Sequence, residues 1–335
     1  MLMLLAYLAL AAVSTGVVWK GSTILEETSG ELAAYYELPA IVQGAVIAAV
    51  GSSFPELTST VLATLLHGQF ELGVAAITGS AVFNILVIPG LSALAGKNEL
   101  QSNRDLVYKE AEFYMVSVAV LLLTFSFAVI YNPVAGDKLV GVLTRPLALI
   151  PVGLYLLYLF TQYLDSMDFD APSVDKGSIR KDWLLLAASL VIITVGVEGL
   201  VKSALGLEEV LGVPSFLWGL TVIAAGTSLP DAFVSVKASE KDNADTSLAN
   251  VLGSNIFDLL IAIPIGVLIA GSTTINYTRA APMMGFLTLA TVVLFTFMRT
   301  KMEIDTKEAY ALLGLYGVFV LWMVLETLGI TSLVL

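Results

Sequence analysis

The chain of 335 residues contains no cysteine and a single histidine, His67. The absence of cysteine excludes disulfide bonds, thiolate metal ligands and thiol nucleophiles, and one histidine cannot build the multi-histidine sites of zinc or haem proteins. Because cysteine is absent and histidine nearly so, oxygen atoms are the metal ligands that this sequence offers.

Charged residues make up only 13% of the chain, against about 25% in an average soluble domain. Basic residues are few and do not cluster. The formal net charge is −12, which argues against nucleic acid as a partner. Hydrophobic residues account for 57% of the chain, and the mean hydropathy is +0.89. A chain with so little polar surface cannot cover a water-facing globule, so we expect a membrane protein whose surroundings are the lipid bilayer. The sequence indicates neither a prosthetic group nor an obligatory protein partner.

Ten segments have the length of about 20 mostly apolar residues that a membrane-spanning helix needs. The first lacks a basic n-region and is interpreted as a spanning helix rather than a cleaved signal peptide. The predicted spans are 2–19, 39–66, 70–95, 107–131, 139–164, 183–204, 214–238, 245–270, 279–298 and 308–328.

The basic residues are distributed unequally between the two sides of a ten-span chain. Twelve of the 16 lysines and arginines fall on the side that carries residues 165–182, the only long polar stretch. The positive-inside rule then predicts that this linker is cytoplasmic and that both termini are extracellular, in the plasma membrane.

The sequence also contains an internal repeat. Residues 44–63, GAVIAAVGSSFPELTSTVLA, align with residues 219–238, GLTVIAAGTSLPDAFVSVKA. Further along, residues 78–86, TGSAVFNIL, align with residues 252–260, LGSNIFDLL.

The repeat divides the chain into residues 1–164 and residues 183–335, joined by the cytoplasmic linker 165–182. Because each half has five spans, an odd number, the second half must enter the membrane in the opposite orientation. We therefore expect an all-α membrane protein with ten transmembrane helices in two inverted five-helix repeats. Inverted repeats with Gly/Pro-interrupted helices are typical of secondary transporters, whose ion sites lie near the midplane.

Glu56 and Asp231 occupy equivalent positions near the middle of two apolar segments. A charge in the bilayer core costs about 2.5 to 3.5 kcal/mol on insertion scales, so each carboxylate must face a cavity, a cation or a proton. Pro55 and Pro230 precede them, and proline removes a helical hydrogen bond. The repeat thus predicts two broken helices with free backbone carbonyls beside each acid.

Other oxygen-bearing side chains accompany the two acids. Serine and asparagine or aspartate recur at i, i+4 in the helix that follows each acid, so each pair projects from one face. These donors suit Ca²⁺ and Na⁺ better than Mg²⁺, which demands a tight octahedron. Two carboxylates neutralise one Ca²⁺, several Na⁺ or protons, as in an antiporter. The candidate ligands besides the acids are Ser52, Ser53, Ser80, Asn84, Thr227, Ser228, Ser254 and Asp258.

At these residues the sequence resembles the calcium/cation antiporter superfamily, whose two repeats carry Gly-Thr/Ser-Ser-x-Pro-acid and Gly-Ser-x-x-x-Asn/Asp. The resemblance implies an ion-binding core made of the second, third, seventh and eighth helices. It also implies that Glu56 and Asp231 bind Ca²⁺, and that the carbonyl groups of Ala49 and Ala224 line the ion sites together with the side chains named above.

Within the superfamily, the proline in both motifs is similar to the sodium-coupled branches, since proton-coupled members typically lack it. The resemblance implies a sodium/calcium antiporter working by alternating access, with Na⁺ and Ca²⁺ as its ions. A proton/calcium antiporter is the alternative. Asp258 is similar to the potassium-dependent branch, so the use of K⁺ or H⁺ stays open. Ala76 departs from the asparagine of many prokaryotic members, which Asn250 retains in the second repeat.

Two other classes of membrane protein fit the sequence less well. An intramembrane aspartic protease needs a carboxylate dyad, but its Gly-x-Gly-Asp element is absent from the sequence, so we do not expect an enzyme. A channel builds its pore from a ring of repeated units, whereas an inverted two-fold repeat favours alternating access.

Overall fold

The computed structural model describes residues 1–36, 49–96, 100–101, 106–137, 139–165, 179–240, 244–300 and 302–333. It is almost entirely helical. The helices are α1 (Leu2–Tyr35), α2 (Ala49–Ser52), α3 (Phe54–Leu65), α4 (Phe70–Ala95), α5 (Ala111–Tyr131), α6 (Arg145–Asp165), α7 (Ile179–Leu211), α8 (Ser215–Trp218), α9 (Ala224–Glu240), α10 (Ala244–Phe257), α11 (Ile263–Ala270), α12 (Tyr277–Arg299) and α13 (Thr306–Thr327).

Three π-helical turns interrupt or extend these helices. Leu106–Glu110 leads into α5, Gly219–Ile223 joins α8 to α9, and Asp258–Ala262 joins α10 to α11. Each joined segment is therefore one continuous helix with a local change of pitch, a feature that is frequent at functional sites.

Nine helices within the described ranges are long and apolar enough to cross a membrane. They correspond to the predicted spans except the second, of which the structure describes only α2 and α3, from Ala49 onward. The expectation of an all-α membrane protein is confirmed. Most of the predicted linker, residues 166–178, lies outside the described residues.

Two helices are much longer than the predicted spans. The first span was expected to end at residue 19, but α1 continues to Tyr35, and α7 runs from Ile179 to Leu211 instead of 183–204. Lys20 therefore lies inside a helix and not in a connecting loop. The apolar run determines which part of a helix crosses the membrane. Residues with high helix propensity, such as lysine and glutamate, can extend the helix beyond that part.

The long helices α1 and α7, which begin the two halves, pack against each other along their length. Their backbones approach closely at two glycines. A Cβ atom on Gly21 would lie 2.6 Å from Ile193 Cγ1, and one on Gly196 would lie 2.8 Å from Val18 Cγ2. Small residues at such crossings are the usual means of close helix packing in membranes.

Two short antiparallel sheets connect the halves. β1 (Leu100–Gln101) pairs with β4 (Glu303–Ile304), and β2 (Val140–Thr144) pairs with β3 (Ser272–Asn276). β2 and β3 follow the fourth and eighth spans, whereas β1 and β4 follow the third and ninth. Strands that pair must lie at the same end of the bundle, so both pairings agree with a chain in which every predicted span crosses.

The helix α4 forms the centre of the bundle. All of its apolar window is buried within the protein, whereas α1, α6 and α13 are mostly exposed to the surroundings. α4 contacts α3 in its own half and α9, α10, α12 and α13 in the other half. A helix that is apolar all round must be enclosed by protein or by lipid, and here its neighbours enclose it.

Candidate cation site

The first acidic motif lies where one helix stops and another begins. α2 ends at Ser52, and Ser53 has φ −90° and ψ 4°, outside the helical region. Pro55 then occupies the first turn of α3, a position where its missing N–H is not needed. Glu56 follows in the same turn, where unpaired backbone N–H groups and the helix dipole favour a carboxylate.

The second acidic motif has a different backbone. Pro230 and Asp231 lie within the continuous helix α9, which runs from Ala224 to Glu240. The expectation of a break at both prolines is therefore correct for the first repeat and wrong for the second. The distortion in the second repeat is the π-helical turn Gly219–Ile223, which precedes the motif. Neighbouring helices can re-satisfy the backbone groups that a proline frees within a membrane helix.

Close packing accompanies that π-helical turn. A Cβ atom on Gly79 of α4 would lie 2.3 Å from the Leu220 carbonyl oxygen, and one on Gly219 would lie 2.9 Å from Leu72 Cδ1. The glycine of the TGS motif therefore lets α4 touch the backbone of the second half. This contact brings the hydroxyl groups of α4 and α9 within reach of each other.

Hydroxyl groups join the two halves at Glu56. Ser80 Oγ lies 3.2 Å from Glu56 Oε1 and 2.7 Å from Ser228 Oγ. Since a hydroxyl has one proton, Ser80 donates to the carboxylate and accepts from Ser228. The Thr227 side chain also lies near the Glu56 carboxyl group. Glu56 Oε2 is buried and has no hydrogen-bond partner among the described residues.

A second polar contact involves Asn84, which lies one turn after Ser80 on α4. Asn84 Nδ2 donates to Asn255 Oδ1 over 3.0 Å, and Asn255 Nδ2 donates to the Ala81 carbonyl over 3.3 Å. Asn255 is fully buried and was not among the predicted site residues. A buried amide in an apolar segment requires partners, and this signal was present in the motif LGSNIFDLL. Asn84 Oδ1 has no partner in the described part of the chain.

Ser53 and Asp258 connect α3 to α10. Ser53 Oγ donates to the Ser254 carbonyl over 3.2 Å, and the Ser53 side chain also lies near the Asp258 carboxyl group. Asp258 opens the π-helical turn that follows α10. Its Oδ1 atom is buried and lacks a hydrogen-bond partner among the residues described.

Asp231 completes a set of three buried carboxyl groups. The side chains of Glu56, Asp231 and Asp258 are 1%, 7% and 1% exposed, and each is close enough to the others for electrostatic repulsion. No ion pair found within the described ranges involves any of them. The described chain holds no group of three or more carboxylate or imidazole side chains placed to bind one ion, so the remaining donors must be hydroxyls, amides and carbonyls.

Two of the other predicted ligands donate to backbone carbonyls of their own helices. Thr227 Oγ1 donates to the Ala224 carbonyl over 3.2 Å, so one of the carbonyls implied by the resemblance already accepts a hydrogen bond. Ser254 Oγ donates to the Val251 carbonyl over 3.1 Å. Ser52 ends α2 and is half-buried, and Ala49 is the first residue of that helix.

Oxygen atoms from both halves therefore converge on three carboxyl groups without a basic partner among the described residues. The model of the family described as sodium/calcium exchanger protein matches residues 6–164 and 181–325 of this chain. The chain belongs to the sodium/calcium exchanger protein family. This family consists of transporters, and the expectation drawn from the motifs is confirmed.

Relatives in the sodium/calcium exchanger protein family cover most of the chain. The inner membrane protein YrbG of Escherichia coli K12 is 28% identical over 70% of this chain and 71% of its own length. The sodium/calcium exchanger MaX1 of Methanosarcina acetivorans is 24% identical over 90% of this chain and 93% of its own.

Two kinds of solved structure share the fold. The sodium-calcium exchanger NCX_Mj superposes with a TM-score of 0.59 at 23% identity, covering 95% of this chain and 98% of its own. The H⁺/Ca²⁺ exchanger CAX superposes with a TM-score of 0.74 at 14% identity, covering 94% of this chain and 82% of its own. Both likenesses confirm the expected two-repeat transmembrane fold.

Proposed function

We propose that the protein is an antiporter that exchanges Na⁺ for Ca²⁺ by alternating access, with Glu56 and Asp231 as the principal Ca²⁺ ligands. The observation that carries the proposal is the set of three buried carboxyl groups with no basic partner in the described chain. Uncompensated charge in a low-dielectric interior is costly, so cations or protons must occupy this region during transport.

The side chains beside the acids provide the neutral part of the coordination. Ca²⁺ takes six to eight oxygen atoms in flexible geometry, which two carboxylates cannot supply alone. Glu56 Oε2 and Asn84 Oδ1 have no hydrogen-bond partner among the described residues, so within that part of the chain they can bind a cation without losing a hydrogen bond. The remaining proposed ligands are the carbonyls of Ala49 and Ala224 and the side chains of Ser52, Ser53, Ser80, Thr227, Ser228 and Ser254.

Sodium coupling is the finer part of the proposal. It is supported by Pro55 and Pro230, which the sodium-coupled branches share, and by the similarity to MaX1 over nearly the whole chain. Proton coupling is the second candidate, and the specific observation that favours it is the higher TM-score with the H⁺/Ca²⁺ exchanger CAX. Sodium coupling and proton coupling require the same acids and differ in whether Na⁺ or H⁺ is exchanged for Ca²⁺.

Asp258 adds a third negative charge opposite the neutral Asn84 of the first repeat. When one Ca²⁺ balances Glu56 and Asp231, a further monovalent cation or proton must balance Asp258. We infer that K⁺, Na⁺ or H⁺ has this role and that Asp258 is a secondary ligand. Its buried Oδ1 atom, which has no hydrogen-bond partner in the part of the chain that the structure describes, supports this assignment.

We also infer that the protein resides in the plasma membrane with both termini outside and the linker 165–182 inside. The support is the unequal distribution of lysine and arginine, together with two sheet pairings that agree with spans of alternating direction. The division into repeats 1–164 and 183–335 belongs to the same proposal.

The deciding experiment measures radiolabelled Ca²⁺ uptake into proteoliposomes with the wild-type protein. An outward Na⁺ gradient should drive uptake, and a pH gradient in Na⁺-free buffer should not. If the pH gradient alone supported full uptake, proton coupling would replace sodium coupling. Protein-free liposomes and liposomes with equal Na⁺ on both sides provide the controls.

A further inference from the structure

A cavity lies at the end of the bundle that carries the β2–β3 sheet, away from the carboxyl groups described above. It has a volume of about 380 Å³ and opens between the end of α3, the start of α4 and β3. The oxygen-bearing residues among those that line it include Thr64, Gln69, Glu71, Thr273 and Thr274. A polar recess of this size holds several water molecules, since one water needs about 30 Å³.

The helix α3 connects this cavity to Glu56. Thr60 and Thr64 follow Glu56 at intervals of four residues and therefore lie on successive turns of one helix. At a rise of 1.5 Å per residue, Thr64 is about 12 Å from Glu56 along the axis. Thr60 Oγ1 lies 3.4 Å from the Glu56 carbonyl oxygen. Thr64 belongs to the cavity lining, but its hydroxyl oxygen is itself buried and has no hydrogen-bond partner within the described chain.

A close contact separates the cavity from Glu56. Gly266 of α11 packs against the two threonines, because a Cβ atom there would lie 2.9 Å from Thr60 Cγ2 and 3.3 Å from Thr64 Oγ1. Because Gly266 has no side chain to fill the gap, a small separation of α3 from α11 would expose the hydroxyl groups of the two threonines to the cavity. These helices belong to opposite halves, whose relative movement is what alternating access requires.

The charge of the cavity is balanced. Glu71 Oε2 accepts a hydrogen bond from Arg279 Nη1 over 2.8 Å, and Glu71 Oε1 accepts one from the backbone N–H of Asn276 over 2.8 Å. The carboxylate therefore anchors the β2–β3 end of the second half to α4 and offers little unpaired charge to a cation. A passage needs binding that is weak enough for ions to leave, and neutral hydroxyls meet that need.

We propose that this cavity is the outer vestibule through which hydrated cations reach Glu56, with Thr60, Thr64 and Gly266 forming its closed inner end. The proposal rests on the proposed antiport function and adds the route that the ions take. Its ligand class is a hydrated Na⁺ or Ca²⁺ held by hydroxyl and amide oxygens.

The absence of native cysteine allows a direct test. Thr64→Cys introduces the only thiol, and the purified variant is reconstituted and treated with membrane-impermeant methanethiosulfonate reagents of equal length, one positively and one negatively charged. Before labelling, Na⁺-driven Ca²⁺ uptake should be slower than in the wild type but measurable, because the substitution removes one hydroxyl group of the vestibule, and this residual uptake checks the antiport function separately. The positive label should lower the initial rate by about tenfold or more, and the negative label should lower it clearly less.

Ile330→Cys is the matched control, because Ile330 lies after α13 at the same end of the bundle, is 67% exposed and does not line the cavity. Complete labelling of this variant should leave uptake unchanged. If Thr64→Cys alone abolishes transport, Ser272→Cys, an exposed position of the cavity lining, takes its place. Full uptake after complete labelling, an equal loss with both charges, or no reaction of the thiol in transporting protein would each overturn the proposal.

Discussion

Glu56 and Asp231 occupy equivalent positions of the two repeats, yet the backbone around them differs. Glu56 lies in the first turn of a new helix after the break at Ser53, and its carboxylate accepts a hydrogen bond from Ser80. Asp231 lies inside an unbroken helix that is distorted about two to three turns earlier, at Gly219–Ile223. The same motif therefore supports two backbone conformations, and contacts with neighbouring helices select between them. A transporter with inverted repeats requires this property, because its halves must take unequal conformations at any one time.

The largest expected effect comes from removing either charge. Glu56→Gln and Asp231→Asn should each lower Na⁺-driven Ca²⁺ uptake by about a hundredfold or more, since loss of one member of a buried charge set costs roughly 3 to 5 kcal/mol. The measurement is radiolabelled Ca²⁺ flux in proteoliposomes, with thermal unfolding as a check on folding. Normal uptake by either variant would contradict the assignment of that residue as a principal ligand.

Exchanging the two acids tests whether the halves are interchangeable. Glu56→Asp withdraws the carboxylate by one methylene group and should lose the hydrogen bond from Ser80, which is worth about 1.5 to 3 kcal/mol for a charged acceptor. We expect a roughly tenfold or greater weakening of apparent Ca²⁺ affinity. Asp231→Glu keeps its charge and should have a milder effect. Equal losses in both variants would show that the hydrogen-bonded arrangement of Glu56 does not matter for binding.

The two prolines should differ in their effect on stability. Pro230 lies within α9, and proline in a helix interior costs up to about 3 kcal/mol in soluble proteins. Pro230→Ala should therefore raise the unfolding temperature of the detergent-solubilised protein and slow transport by stiffening the helix. Pro55→Ala is the matched control, because proline is compatible with the first turn of α3. A similar rise in both variants would mean that the helix break at Ser53 is not maintained in solution.

The smallest effect on the maximal rate is expected at the position where the repeats differ in charge. Asp258→Asn makes the second repeat like the first, with its Asn84, and should preserve Na⁺-driven Ca²⁺ exchange while changing its dependence on K⁺ or on pH. Flux is measured with and without K⁺ from about pH 6 to pH 8. Loss of flux under all conditions would make Asp258 a primary ligand, and unchanged responses would leave it a structural hydrogen-bonding group.

Much of the architecture follows from local patterns. Apolar runs of about 20 residues predict all nine spans found within the described residues, because the bilayer imposes a length on each helix independently of its neighbours. Helix ends are less well predicted, as the extension of α1 to Tyr35 demonstrates. Nothing in hydropathy specifies where a helix ends once it has left the apolar region.

The candidate site likewise has a part that the sequence predicts and a part that only the structure shows. The repeated motifs identify Glu56, Asp231 and the accompanying hydroxyls, since an acid in an apolar segment is conspicuous and its recurrence at equal spacing is not accidental. The motifs do not reveal that Ser80 meets Ser228, 148 positions further along the chain, or that Asn255 pairs with Asn84. They also suggest two broken helices where one is continuous. Such contacts depend on how closely α4 approaches the second half, which is determined by the packing of glycines and side chains from distant segments.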